Sequence, residues 1–172
     1  MGKIAVLGLG PSLSLYNPAD YNLAIGVNDI WRYHQSEAIV CLNHRSTFNY
    51  DRLNVIDNSK PKAFYTQIAN WNTRPDFVQI ELTSYFPNHT IDLNIVPFYK
   101  SYCSPFVACQ VGIRFYQAKE IHLFGVDLVN HPHLDQTLCT KIKNHFLLLS
   151  QALEKEGCEF IVHGSGILSV LL

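Results

Sequence analysis

Short runs rich in β-branched residues alternate with longer amphipathic stretches along this chain of 172 residues. That alternation is typical of an α/β domain in which parallel strands are joined by helical crossovers. The runs that predict strands are residues 3–7, 23–27, 38–42, 62–66, 78–82, 121–124 and 160–162. Helices are predicted at 46–57, 104–116 and 135–156, followed by a short tail at 167–172. We therefore predict one α/β domain over 1–172, with a mainly parallel sheet and helices on both faces.

Composition excludes several classes of protein. Hydrophobic residues make up 48% of the chain and charged residues 16%, which excludes a disordered chain or a coiled coil. Thirteen Lys and Arg stand against fourteen Asp and Glu, so no nucleic-acid partner is predicted. No apolar run approaches the roughly 20 residues of a membrane span, and the first residues lack a secretory signal. We expect a cytoplasmic protein without a membrane span.

Cysteine usage gives no sign of a disulfide framework or of a zinc site. The five cysteines are widely spaced, and none forms a C-x-x-C pair. We expect reduced, mostly buried thiols.

Two parts of the chain leave alternatives open. Residues 67–103 are rich in Asn, Pro, Tyr and Phe, and their periodicity is weak. This segment is either an irregular insert or a lid, since loops of this length are often functional. The apolar tail 167–172 either packs on the sheet or pairs with another copy, which leaves a homo-oligomer open.

Polar residues and glycines gather immediately after the predicted strands. Ligands of open α/β sheets bind outside the carboxyl ends of the strands, so this pattern predicts a ligand site there. The candidate residues are Gly8, Gly10, Pro11, Ser12, Asn28, Asn43, Gly125 and Asp127. Ser104 joins them as the expected N-cap of a helix, with Pro105 at its first position.

The turn after the first strand resembles a phosphate-binding loop, because its glycines permit tight geometry and a helix start could bind an anion. It is an incomplete dinucleotide fingerprint, since Leu13 stands at the third glycine position; Asp29 keeps a nicotinamide cofactor open. Asn28 and Asn43 offer donors and acceptors that suit a ribose, a base edge or a sugar. The structural alternative is a simple tight turn with two capping asparagines.

Two histidines, His131 and His133, lie between Asp127 and Asp135. Imidazole titrates near neutral pH, so either side chain suits a general acid or base that takes a proton from a hydroxyl nucleophile. The same residues also have spacing that suits a metal ion on an extended segment. A loop without chemistry is the third interpretation.

The opening residues 6–13, VLGLGPSL, resemble the G-x-G-P-S-L signature of the bacterial sialyltransferases of glycosyltransferase family 42 and their relatives. Those relatives include proteins like archaeal 6-hydroxymethylpterin diphosphokinase and the flagellin-modifying glycosyltransferases. Later motifs follow in the family's order, among them the block KEIHLFGVD at 119–127. Two features depart from the pattern: Pro105 replaces a glycine, and 128–134 lacks the tyrosines that hold the leaving phosphate.

The resemblance implies a Rossmann-like fold and a nucleotide-activated sugar donor, with the CMP-sugar type favoured and no cofactor required. It places Gly10, Pro11 and Ser12 near the phosphate, Asn28 and Asn43 near the donor, and Ser104 near the nucleotide. His131 or His133 corresponds to the family's general base. The partners would be the nucleotide-sugar and a glycan or small-molecule acceptor that supplies a hydroxyl.

Two alternatives to this glycosyltransferase stay open. One is a Mg-dependent diphosphokinase of the pterin type, in which Asp127 and Asp135 are the candidate acidic ligands. The other is a non-catalytic nucleotide-binding domain, which the short chain and the missing tyrosines favour.

Overall fold

The computed structural model describes residues 2–129 and 134–171. Its strands are β1 (Lys3–Leu7), β2 (Leu23–Val27), β3 (Ala38–Val40), β4 (Ala63–Thr66), β5 (Phe77–Gln79), β6 (Leu82–Thr83), β7 (Phe98–Tyr99), β8 (Glu120–Phe124) and β9 (Glu159–Val162). Its α-helices are α1 (Tyr50–Asn58), α2 (Ser104–Tyr116) and α3 (Gln136–Lys155). Short 3-10 helices, such as Pro11–Leu15 and Ile167–Leu171, occupy several connections.

Seven strands form one sheet in the order β5-β4-β3-β2-β1-β8-β9, and every neighbouring pair is parallel. The chain starts in the middle with β1, builds outward to β5, and then returns to place β8 on the other side of β1. The strand order therefore reverses between β1 and β8, where open α/β sheets form their ligand crevice. The predicted α/β fold with a parallel sheet is confirmed. Strands β6 and β7 form a separate two-stranded sheet.

The central strands are buried on both faces, which explains their continuous apolar runs. In β1, Ile4 and Val6 belong to one core cluster and Ala5 and Leu7 to the other. Helices α2 and α3 contribute to the first cluster, while α1 contributes Ile56 to the second. Both faces are thus covered by helical segments.

Two helix starts differ from the sequence prediction. Helix α1 begins at Tyr50, because Asn49 Oδ1 accepts a hydrogen bond from the Arg52 N–H at 3.0 Å. Ser46, the expected cap, lies in a 3-10 turn instead. The expected N-cap Ser104 is the first residue of α2, and Cys103 has the extended N-cap backbone (φ −142°, ψ 138°).

Two predicted segments have more structure than the sequence indicated. The strand predicted at 78–82 is divided between β5 and β6, which join different sheets. In 67–103, Tyr99 is anchored on α2 by Gln110, whose Oε1 accepts from the Tyr99 N–H at 2.9 Å and whose Nε2 donates to the Tyr99 carbonyl at 2.7 Å. Ile91 and Leu93 are also buried in the core. Parts of this segment therefore pack into the domain core, while other side chains, such as Tyr85 and Val96, are exposed.

The tail also packs within the domain, since Leu168 is fully buried and the 3-10 helix that contains it lies against α3. Among the described residues, no helix combines the length and the apolar character needed to cross a membrane.

Candidate functional site

The turns after β1 and β8 meet backbone to backbone at the carboxyl edge of the sheet. The Gly8 N–H donates to the Phe124 carbonyl and the Gly10 N–H to the Gly125 carbonyl, both at 2.8 Å. A Cβ on Gly8 would lie 2.3 Å from the Gly125 carbonyl oxygen. These glycines are therefore needed because two stretches of backbone are in direct contact.

Ser12 and Asp127 form a buried pair that joins the two turns. Ser12 donates its backbone N–H to Asp127 Oδ2 at 3.0 Å and its hydroxyl to the same oxygen at 2.9 Å. The Ser12 hydroxyl in turn accepts the Gly125 N–H at 2.8 Å. Ser12 is 6% exposed and Asp127 is 9% exposed. The Ser12–Asp127 pair fixes the shape of the carboxyl edge between β1 and β8.

The turn after β9 closes on the same pair. Gly164 has a φ of +102°, and a Cβ there would lie 2.6 Å from Ser12 Cβ and 2.8 Å from Asp127 Oδ1. The Ile167 N–H donates to the Asp127 carbonyl at 3.0 Å. Three turns, from β1, β8 and β9, are thus held together at Asp127.

This arrangement bears on the phosphate role predicted for the first turn. The amides of Gly8, Gly10 and Ser12 already donate to protein oxygens. The segment that follows, Pro11–Leu15, is a five-residue 3-10 helix rather than an α-helix. These three N–H groups are therefore not free to bind a ligand in this arrangement. That the turn lies near a phosphate of the ligand stays a prediction.

The start of α2 lies at the same edge, and the N-terminus of a helix carries a partial positive charge. Helix α2 packs over β1, β2 and β3, and it runs opposite to them, so its first residue Ser104 lies beside their carboxyl ends. Its N-cap, Cys103, makes no side-chain capping hydrogen bond. The positive end of the helix dipole is therefore not neutralised by its own cap. Burial raises the pKa of the Cys103 thiol to about 12, so no thiolate competes there.

The two asparagines occupy the ends of β2 and β3. Asn28 has a left-handed backbone (φ 50°), and within the described part of the chain its shielded Oδ1 has no hydrogen-bond partner. Asn43 has an exposed side chain, and its backbone carbonyl accepts from Trp71 Nε1 at 3.0 Å. A shielded acceptor without a donor is costly, so Asn28 is suited to a ligand donor.

Asp29 is engaged by arginine. Arg52 donates to Asp29 Oδ1 from Nε at 2.9 Å and from a terminal nitrogen at 2.6 Å, and Arg32 lies 3.6 Å from Oδ2. The carboxylate that a nicotinamide nucleotide would use on its ribose is therefore bound within the protein.

The predicted catalytic residues His131 and His133 lie outside the described residues. Their flanking residue Asp135 is the N-cap of α3, where Oδ1 accepts the Leu138 N–H at 2.7 Å. The two carboxylates of the possible metal site therefore both accept hydrogen bonds within the protein: Asp127 from Ser12, and Asp135 from Leu138. Over 2–129 and 134–171, no group of three or more metal-binding side chains is found.

The structure adds one histidine that the sequence analysis does not single out. His145 of α3 lies next to the start of α2: its Nδ1 is 3.0 Å from Ser101 Oγ, and its ring centroid is 6.0 Å from that of Phe106. The ring stacks on Phe86 at 4.7 Å. No local pattern relates positions 101 and 145, so only the packing of α2 against α3 reveals the contact.

His145 gives a prediction about pH. Burial, and then Lys141, lower its pKa below the ordinary value of about 6.5. Because the unfolded chain binds this proton at higher pH than the folded protein, stability falls as the pH drops below about 6.5. In urea titrations at pH 7.5 and 5.5, we expect His145→Gln to lose less stability than the wild type. The exposed-histidine control His89→Asn should lose as much as the wild type, and an unchanged loss in His145→Gln would contradict the assignment.

No model of a known protein family matches the chain, and no curated protein matches it in sequence. Its fold, however, is Rossmann-like and is shared with solved glycosyltransferase structures. One is a variant of the alpha-2,3/8-sialyltransferase CstII, with a TM-score of 0.62, 15% sequence identity, and coverage of 99% of this chain and 85% of that one. The other is CstII from Campylobacter jejuni in complex with the substrate analogue CMP-3FNeuAc, with a TM-score of 0.60, 16% identity, and coverage of 99% and 84%. The chain thus has the fold of a sialyltransferase.

Proposed function

We propose that this protein is a small glycosyltransferase that moves a sugar from a nucleotide-activated donor, of the CMP-sugar type, to a hydroxyl acceptor. One observation carries the proposal: the polar residues after β1, β2, β3 and β8 follow the carboxyl ends of neighbouring strands, on the edge that contains the topological switch point between β1 and β8, in a fold shared almost end to end with a sialyltransferase. One of the CstII structures with this fold holds the substrate analogue CMP-3FNeuAc.

The polar candidate residues have different proposed tasks in donor binding. The start of α2, with the Ser104 hydroxyl and the positive helix end, suits the nucleotide phosphate. The side chains of Asn28 and Asn43 suit sugar hydroxyls or the edge of a base. Asn28 Oδ1, which has no partner among the described residues, would accept a hydrogen bond from one of these groups. The Ser12–Asp127 pair keeps the three turns in place, so that these contacts need no reorganisation on binding.

The proposed reaction is a direct displacement. The acceptor hydroxyl oxygen attacks the anomeric carbon, and its proton passes to the imidazole of His131 or His133. The bond from the anomeric carbon to the phosphate oxygen breaks, and the nucleotide leaves with the electron pair. Positioning of donor and acceptor at one edge supplies much of the rate, and no cofactor is required.

Nucleotide binding is the first test. We expect CMP or CDP to raise the melting temperature without magnesium, since a ligand at about 100 times its Kd stabilises a fold by roughly 2.7 kcal/mol. UDP, GDP and ATP serve as comparisons. The variant Asn43→Ala should weaken the response, whereas Asn54→Ala, on the exposed surface of α1, should not. A response only to ATP with magnesium would instead indicate a diphosphokinase, and no response to any nucleotide would contradict donor binding.

Turnover is the second part of that test. We expect the double variant His131→Ala/His133→Ala to keep its nucleotide response and to lose transferase activity by about 10²–10⁴-fold, the usual contribution of a general base. Full activity in this variant would contradict the assigned base. Multiple turnovers in the wild type would exclude a non-catalytic binding domain.

A further inference from the structure

A pair of histidines lies on the sheet face opposite α2 and α3. His122 is in β8, and His163 directly follows β9; His122 Nδ1 lies 2.8 Å from His163 Nε2. His122 is only 5% exposed. The His163 ring stacks on Phe124 with centroids 4.1 Å apart. His163 is partly exposed. The two imidazoles therefore face each other in a fixed, partly buried arrangement, and we call them the histidine pair.

The hydrogen bond of the histidine pair depends on its proton count. A neutral pair has one N–H facing one lone pair, and the bond forms. A single added proton leaves one facing lone pair, so the bond survives. A second added proton places two N–H groups and two positive charges against each other, and the bond is lost. The pair is therefore a proton-dependent contact between β8 and the segment after β9.

The surroundings keep the histidine pair uncharged at neutral pH. Glu120 Oε2 lies 3.4 Å from His122 Nε2, the Tyr21 hydroxyl lies 3.3 Å from its Nδ1, and Lys3 Nζ lies 5.2 Å from the Tyr21 ring. Burial lowers the pKa of both histidines; Lys3 lowers both further, and His122 lowers that of His163. Glu120 and Glu159 raise the pKa of His122 but do not reverse its shift.

The histidine pair is connected to the candidate site through one residue. The backbone N–H of His163 donates to the Leu123 carbonyl at 2.9 Å, and the next residue in the chain is Gly164. Gly164 packs directly on Ser12 Cβ and Asp127 Oδ1. A shift of the His163 backbone would therefore move the surface against which the Ser12–Asp127 pair is packed.

We propose that the histidine pair is a pH-sensitive latch, which holds the turn after β9 against the Ser12–Asp127 pair and releases it when both imidazoles are protonated. Release in mildly acidic solution loosens the three turns at the carboxyl edge. The consequence for nucleotide affinity rests on the proposed function, whereas the release of the turn does not.

Amide hydrogen exchange tests the release directly. Two backbone N–H groups report on the Ser12–Asp127 pair: that of Ser12 donates to Asp127 Oδ2, and that of Gly125 donates to Ser12 Oγ. After correction for intrinsic rates, we expect their opening equilibrium to rise about tenfold or more between pH 7.5 and 5.0, as linkage to a shifted titration requires. The Val6 amide of β1 is the reference for global unfolding. Because acid also lowers the global stability through His145, the Val6 opening changes with pH as well. If the Ser12 and Gly125 amides open with the same free energy as Val6 at pH 5.0, they exchange only through global unfolding, and that result would overturn the proposal.

A variant separates the latch from other effects of acid. His163→Gln places a neutral hydrogen-bonding amide near the position of Nε2, so we expect it to remove the extra opening at pH 5.0. The control His89→Asn replaces an exposed histidine and should retain it. Persistence of the extra opening in His163→Gln would overturn the latch. If that variant fails to fold, NMR titration of the wild-type imidazoles decides: two coupled steps support the pair, and two independent titrations overturn it.

Nucleotide binding distinguishes the two proposals. If the latch acts on the donor site, the thermal response to CMP should fall between pH 7.5 and pH 5.0 by more in the wild type than in His163→Gln. The fall in the variant measures the protonation of the CMP phosphate itself, whose second pKa is about 6. Exchange that follows the latch, with no nucleotide response at either pH, would contradict the proposed function and leave the latch supported. A pH-independent exchange pattern with normal CMP binding would overturn only the latch.

Discussion

Gly125→Ala should destabilise the protein by about 3 kcal/mol or more, whereas Gly157→Ala should cost only about 1 kcal/mol. Both glycines have a φ of +67°, so the two substitutions carry the same backbone strain. They differ in surroundings: a Cβ at 125 would lie 2.6 Å from the Gly8 carbonyl oxygen, and one at 157 has nothing within 4 Å. Because the atom that a Cβ at 125 would meet belongs to the backbone, the clash cannot be relieved by rotation of a side chain.

Urea denaturation of the two variants measures this difference. A shift of the midpoint with an unchanged slope would report stability alone. Equal losses in the two variants would show that only the positive φ matters at Gly125, and that the turns after β1 and β8 do not depend on close backbone contact.

Asp127→Ala should cost about 3 kcal/mol, and Ser12→Ala should cost about 1–3 kcal/mol. Removal of the carboxylate leaves the Ser12 N–H and hydroxyl shielded from water without their acceptor. Because each substitution breaks the same contact, the double variant should lose less than the sum, with a coupling of about 1–3 kcal/mol. Ser14→Ala is the matched control, since the Ser14 hydroxyl bonds the Pro11 carbonyl at an exposed position.

The same variants connect stability to ligand binding. A conservative variant, Asp127→Asn, keeps the side-chain shape, and its Oδ1 can still accept one of the two bonds from Ser12. We expect it to fold and to show a weaker thermal response to nucleotide than the wild type. Additive losses in the cycle would show that Ser12 and Asp127 act independently, which would contradict their role as one pair.

Local sequence patterns were sufficient for six of the seven strands of the main sheet, to within two residues at each end; the exception is β5. Lys3–Leu7 and Leu23–Val27 have the predicted bounds, because strands buried on both faces must be apolar throughout and end where polar residues begin. The predicted cap of α1, Ser46, was wrong, because Asn49 is also a residue type that caps helices. In the structure the cap is Asn49, whose side-chain Oδ1 accepts the Arg52 N–H.

The candidate site was predictable as a place but not as a set of contacts. Strand ends fix which residues gather at the carboxyl edge, and the motif order indicated the same edge. The sequence did not indicate that Ser12 and Asp127 are bonded to each other, or that Asp29 is bound by Arg52. Those bonds depend on the direction of each side chain after the strands have paired.

The sequence by itself determined the fold class and six of the seven strands of the main sheet, and it predicted the edge at which a ligand would bind. Those properties follow from periodicity and from residue types within a few positions of one another. Only the tertiary structure decided that Ser12 meets Asp127 across 115 residues and that His122 meets His163 across 41. The physical reason is that hydrogen bonds act over about 3 Å, and the sheet alone brings such distant segments to that range.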